Sequence, residues 1–218
     1  MDERIIVISG PSGAGKTTLC AELVKKERRI KLCVTATTRP PRTGEVDGHD
    51  YHFMNKMTFE SGIKKQYFVE YVKLFNAYYG TPKKSIEDIW LTGCYPLLRI
   101  DLNGTRSLKK LGYQGLFVFI RPPSLEILKE RLEKRGDSGL THSSRLWRDK
   151  SEQTSLAKRL RQATEEMQSG NEYDFQVVND KFDDTVDKIK SILKKHFFIP
   201  LTQRPATGRK GRIQELKQ

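Results

Sequence analysis

Gly10, Gly15, Lys16 and Thr17 fit the spacing GxxxxGK[ST]. That is the pattern of a phosphate cradle. Glycines let the backbone curl until its N–H groups point at phosphate oxygens. A helix starting there adds the positive end of its dipole, the lysine reaches the β- and γ-phosphates, and the hydroxyl after it can serve Mg²⁺. The candidate triphosphate-binding residues are therefore Gly10, Pro11, Ser12, Gly13, Ala14, Gly15, Lys16, Thr17 and Thr18. Thr17 is the candidate Mg²⁺ ligand, directly or through water. A chance glycine-rich turn would lack the flanking elements. Here "RIIVIS" (4–9) reads as a buried strand before the loop. "TTLCAELVKKERR" (17–29), with Leu19, Leu23 and Val24 on one face and charge on the other, reads as a helix after it. The motif implies a nucleoside triphosphate and leaves the reaction open.

A second set of residues lies in "TATTRPPRTGEVDGHDYHF" (35–53) and beyond. Arg39 and Arg42 stand three apart in a proline-stiffened loop, and two guanidinium forks can clamp one phosphate. Tyr51 adds a hydroxyl donor. "FVEY" supplies Glu70, and "NAYYGTP" supplies Tyr79 and Thr81. A carboxylate can face the N1–H and N2–H₂ donors of guanine, and hydroxyls can face its O6. That polarity is the reverse of adenine's. Phe75 and Tyr78 read as core aromatics.

These residues need a scaffold, and the chain alternates strand and helix in the manner of an α/β fold, a parallel sheet with helices on both faces. "YPLLRID" (95–101), "GLFVFIRPPS" (115–124) and "FQVVND" (175–180) read as strands. "SIEDIWLTG" (85–93), "LEILKERLEKRG" (125–136), "LAKRLRQATEEMQSG" (156–170) and "DDTVDKIKSILKKHF" (183–197) read as helices. The stretches 35–82 and 137–158 are polar excursions, with 137–155 read as a loop. Arg131 and Arg135 lie four apart among Glu126, Glu130 and Glu133, so a salt-bridged solvated face competes with a phosphate-contacting role.

Composition sets the outer bounds. A chain of 218 residues, 36% hydrophobic and 31% charged, can bury a core without metals or disulfides. Cys20, Cys33 and Cys94 are scattered and form no CxxC pair, which points to a reducing compartment and no structural zinc. A first strand at about residue 4 leaves no room for a signal peptide, and no run approaches the ~18 apolar residues of a membrane span, so the expected location is the cytoplasm. The net charge of +13 suits phosphate substrates and does not require nucleic acid. Residues 199–218 read as a basic, flexible tail.

With these residues in place, the chain resembles guanylate kinase from about residue 4 to about residue 198. The resemblance is carried in order by "GPSGAGKTTL", "TATTRPPRTGEVDGHDYHF", "FVEY", "YYGTP", "LEILKERLEKRG", "AKRL" and "VVND". It implies a P-loop nucleoside monophosphate kinase with core segments 1–35, 83–129 and 161–198, a GMP-binding insertion at 36–82 and a lid at 130–160. By resemblance Arg39, Arg42, Tyr51 and Tyr79 hold the GMP phosphate, and Thr35, Glu70, Thr81 and Asp101 read guanine. Arg131, Arg135 and Arg159 reach the transferring phosphates, and Asn179 lies near the adenine of ATP. Lys16, Arg39, Arg135 and Arg159 would be the catalytic set. Mg²⁺ would be required and dGMP would be a second acceptor.

The chain departs from the family in two places. Family members carry an acid two residues before the one matching Asp101, giving Asp-x-Asp; here Arg99 stands in that position. Period-two alternation puts Arg99 and Asp101 on one strand face. They would pair with each other, or Arg99 would point at bound phosphate while Thr17, water and nucleotide oxygens hold the metal. The stretch between Arg135 and Arg159 is also longer than the family's lid, and Arg145 or Arg148 within it could take a lid role. Two other function classes stand beside the enzyme. One is a non-catalytic guanylate-kinase-like interaction module, which the intact Lys16 and Thr17 oppose. The other is a kinase for another nucleoside monophosphate, which Glu70 with Thr35 and Thr81 opposes.

Overall fold

The computed structural model describes residues 2–74, 76–137 and 150–198, with side chains described outside 135–156 and 158. Two compact units divide the chain, Met1–Val7 with Cys20–Gly115 and Ile8–Leu19 with Leu116–Gln218. A five-stranded sheet has the order β2-β7-β1-β8-β9 (Ile30–Leu32, Tyr95–Arg99, Ile5–Ser9, Gly115–Arg121, Phe175–Val178). The β2/β7 and β8/β9 pairs are parallel. All five residues of β1 are buried, as are the five central residues of β8. That continuous burial explains why these segments run apolar without alternation, Ser9 at the end of β1 excepted. Among the described residues the α-helices are α1 (Lys16–Lys26), α2 (Lys56–Lys64), α3 (Lys83–Leu91), α4 (Leu102–Lys110), α5 (Leu125–Asp137), α6 (Lys150–Gln168) and α7 (Phe182–Ile192). None of the helices among the described residues is long and apolar enough to cross a membrane.

The first unit also carries a four-stranded sheet, β4-β3-β6-β5 (His52–Phe53, Ala36–Thr37, Ala77–Pro82, Phe68–Leu74). Its core is Ala36, Phe59 and Phe68, with Phe59 stacked 4.3 Å from Phe68 and 5.2 Å from Tyr78. Tyr78 is thus a packing residue, as its sequence suggests. The β5/β6 ladder shifts register between Phe68 and Glu70. Such a bulge re-aims the side chain beyond it. Here Phe68, Val69 and Glu70 are all buried, and Glu70 lies opposite Thr81.

In the second unit, Leu128 and Leu132 of α5 pack on Leu160 and Ala163 of α6. The loop between β1 and α1 makes its tightest approach at Gly10, whose φ is 139°. A Cβ there would lie 2.2 Å from the carbonyl oxygen of Ile120. Gly10→Ala is therefore expected to destabilise the fold by about 3 kcal/mol or more. A thermal melt should fall by roughly 6–12 °C. A melt unchanged within about 2 °C would mean that the loop can reshape without strain.

Three elements differ from their sequence-based expectations. The strand expected over 95–101 stops at Arg99, and Asp101 is the N-cap of α4, its Oδ1 accepting the Gly104 N–H at 2.8 Å. A carboxylate offered to an orphan amide outcompetes strand continuation, so Arg99 and Asp101 do not share a strand face. Residues 150–155, expected in a loop, are helical. Leu160 and Ala163 anchor α6 on α5, and a helix once nucleated propagates through Lys, Glu and Gln at little cost. The helix expected to run to 197 gives way to a π-helical turn at Leu193–Phe197. Phe75, most of the long polar stretch with Arg145, Trp147 and Arg148, and the basic tail lie outside the described residues.

Candidate active site

The phosphate loop of the second unit is tied down from below. Asn179, 6% exposed, donates from Nδ2 to the Ala14 carbonyl at 2.8 Å, and its own N–H goes to the Arg121 carbonyl at 2.8 Å. Arg131 donates from a terminal nitrogen to the Asn179 carbonyl at 3.3 Å. Tyr173 donates its hydroxyl to Ser9 Oγ at 2.8 Å. Asn179 therefore acts on the loop itself, a role that neither the motif nor the resemblance supplies. Lys16 donates from Nζ to the carbonyl oxygens of Gly10 and Pro11. Its ammonium is folded back on the loop it would serve. Thr17 and Thr18 are exposed at the start of α1. Arg159 is half-buried on α6, and the side chain of Arg135 lies outside the described residues.

The first unit holds two clusters joined by β6. One surrounds the Tyr51 ring. The Arg39 guanidinium lies 5.4 Å from its centroid, that of Arg99 lies 5.2 Å away, and Tyr79 meets it edge-on at 6.1 Å. Arg39 also reaches both carboxylate oxygens of Glu45 at 2.8 Å. Glu45 accepts the Arg42 N–H at 2.7 Å as well. Burial works against the Glu45 charge, but the Arg42 amide and the Arg39 fork hold its carboxyl below the usual range. The Arg42 side chain is exposed. Glu45 belongs to this site, and sequence reasoning missed it because nothing in a six-residue separation signals a loop closing on itself.

The other cluster is built on Glu70, 5% exposed. Thr81 donates its hydroxyl to Glu70 Oε1 at 2.6 Å. On the opposite side, a Cβ on Gly104 would lie 2.8 Å from Glu70 Oε2. Only a residue without a side chain lets the first turn of α4 come this close, and that turn is the one capped by Asp101. Burial pushes the Glu70 carboxyl up to about 7, the nearby Asp101 charge adds to the rise, and the Thr81 hydroxyl opposes it. Thr35, 7% exposed, precedes β3 by one residue. Continuing the Ala36–Gly80 register sets it beside Thr81. The structure thus brings Thr35, Glu70, Thr81 and Asp101 together. Gly104 is the member that sequence reasoning missed, and its only sequence signal is a glycine where a helix former would serve better.

Strand alternation relates the two clusters. Tyr79 and Thr81 are two apart on β6 and face the same way, about 7 Å from each other. One end of this face carries cations and hydroxyls, and the other carries a buried acid. That polarity fits a molecule with an anionic group at one end and N–H donors at the other.

Comparison with known proteins supplies the family. Residues 2–196 match the guanylate kinase family. The chain belongs to that family. Over 189 residues it is 42% identical to a guanylate kinase of Clostridium perfringens, spanning 87% of this chain and 82% of the relative. It is 41% identical to one of Rickettsia felis, spanning 87% and 92%. The crystal structure of guanylate kinase from Anaplasma phagocytophilum superposes with a TM-score of 0.66 at 28% identity, covering 88% of this chain and 84% of that one. As a family member the chain is a nucleoside monophosphate kinase, a phosphotransferase acting on GMP with ATP. The reading as a non-catalytic module is not favoured.

Proposed function

We propose that this chain transfers the γ-phosphoryl group of ATP to GMP, giving ADP and GDP, with the two clusters above as its GMP site and the phosphate loop as its ATP site. The observation that carries the reading is the buried carboxyl of Glu70 beside Thr81 and Asp101, an acceptor set that suits guanine and opposes adenine. GMP would lie along β6, its base at Glu70 and Thr81 and its phosphate at Arg39, Arg42, Tyr51 and Tyr79. The loop Gly10–Thr18 would hold the ATP phosphates, with Lys16 swinging from its loop carbonyls to the γ-phosphate. Arg131, Arg135 and Arg159, in the proposed lid at 130–160, would approach the same charge, and 36–82 would be the GMP-binding insertion.

Among the described residues no group of three or more His, Cys, Asp or Glu could hold a metal ion. The donor that the phosphate loop offers is the Thr17 hydroxyl. One protein hydroxyl suits Mg²⁺, which binds largely through nucleotide phosphates and retained water. When bound, Mg²⁺ neutralises and orients the phosphate oxygens. The protein's own part is alignment and charge: Lys16 and the arginines stabilise the transferring group, and closure over it keeps water out. We place the reaction in the cytoplasm.

A coupled assay of ADP release with ATP, Mg²⁺ and GMP, run beside dGMP, AMP and UMP, tests this. Release should depend on GMP, extend to dGMP and be absent with AMP and UMP. Equal turnover of AMP and GMP would overturn the guanine reading. GMP binding without turnover would restore the module reading.

A further inference from the structure

Arg99 stands where the family resemblance leads one to expect an acid, and the structure gives it a place. It ends β7 half-buried, with its guanidinium 5.2 Å from the Tyr51 centroid. Arg39 lies 5.4 Å from the same ring, so the two guanidinium groups are no farther apart than those distances combined. Arg39 is neutralised by Glu45 at 2.8 Å. The ion pairs among the described residues do not include Arg99. Asp50, whose carboxyl is held down mainly by the Val46 N–H, is influenced only weakly by the Arg99 charge. A guanidinium over a tyrosine, its fork without a hydrogen bond or ion pair among the described residues and a second guanidinium on the same ring, has the form of an anion site with one ligand position open.

The chain direction sharpens this. Arg99 meets Tyr51, while Asp101, two residues on, caps the turn packed against Glu70. On β6, Tyr79 meets Tyr51 while Thr81, two residues on, binds Glu70. Two separate segments thus run in the same sense past the same pair of clusters. Residue 99 falls at the cationic end and residue 101 at the carboxyl end.

We propose that Arg99 is a phosphate-binding residue of the acceptor site: its fork takes a non-bridging oxygen of the GMP phosphate alongside Arg39, and Tyr51 holds it in that orientation. This rests on the guanylate kinase reading above and adds a third cation to the acceptor site. It also means that the end of β7 contributes positive charge to the phosphate and no ligand to a metal.

Calorimetric titration of GMP and of guanosine into the full chain separates phosphate contacts from base contacts. Arg99→Ala should weaken GMP about 10- to 100-fold and leave guanosine within about twofold. Arg99→Lys should recover part of the loss. Arg99→Met, which keeps apolar cover on Tyr51, should behave like alanine and guards against a fold defect in the smaller variant. Arg99→Asp should bind GMP more weakly still and turn over more slowly. Equal weakening of GMP and guanosine in the alanine and methionine variants would make Arg99 a structural support for Tyr51 and overturn the proposal. Unchanged or tighter GMP binding, or faster turnover by Arg99→Asp, would overturn it as well. Wild-type protein that binds GMP no better than AMP would instead overturn the guanine reading on which the proposal stands.

Discussion

Glu70→Gln is expected to lower kcat/KM for GMP by about 10³-fold and, without nucleotide, to raise stability above pH 7. Both effects have one origin. The Glu70 carboxyl is buried beside Asp101 and its pKa is raised to about 7. Guanine offers two donors, which a carboxylate can accept together. An amide presents one acceptor and sets its NH₂ against a guanine N–H, leaving buried donors unpaired. The stability effect follows from the sign of the shift. A carboxyl whose folded pKa is raised stabilises the fold fully below its unfolded pKa. That contribution is lost as pH climbs to about 7, where the folded group ionises. The whole difference is at most about 3 kcal/mol. Glutamine never ionises, so the variant should melt higher than wild type at pH 8 and alike at pH 4.5. GMP affinity of the wild type should fall about tenfold per pH unit below 7, with proton release on binding. A GMP affinity flat from pH 5.5 to 8, or a variant that melts lower at pH 8, would show that the ionised carboxyl is not the base reader.

Lys16→Met should cost about 10³-fold in kcat and much less in ATP affinity. In the free protein the ammonium rests on the Gly10 and Pro11 carbonyls. Backbone amides of the loop can still bind the triphosphate in its absence. What they cannot supply is a cation that follows charge onto the transferring group, the kind of contact made only in the transition state. Lys16→Arg should not rescue turnover, because a planar fork cannot take the place of a compact ammonium inside the loop. Single-turnover phosphoryl transfer measures the step directly. Retention of more than about a tenth of wild-type rate by the methionine variant would remove Lys16 from the chemistry.

The parts legible in the sequence were those written in neighbouring residues. Strand, glycine loop and helix around Lys16 could be read because the motif and its flanks are contiguous, and Glu70 and Thr81 could be picked out from two short segments, though not their hydrogen bond to each other. What stayed hidden depended on residues meeting across the chain. Ile100 extends an apolar run, so the strand looks longer than it is; only the Asp101 carboxylate on the Gly104 amide ends it. The bulge that lets Phe68, Val69 and Glu70 all be buried has no local signature. The start of α6 lacks an apolar stripe in "KSEQTS" and is set by packing further along at Leu160 and Ala163.

The Arg39–Glu45 contact gives the acceptor site a built-in competitor. A carboxylate only six residues away, already held through both its oxygens by one terminal nitrogen of Arg39, is present at an effective concentration that no free anion in solution matches. Inorganic phosphate at millimolar levels would have to displace it without a base at Glu70 to anchor it. A nucleotide held by its base at Glu70 brings its phosphate to Arg39 intramolecularly and competes on equal terms. Arg39 is thereby biased against small anions and toward a phosphate that arrives attached to guanosine.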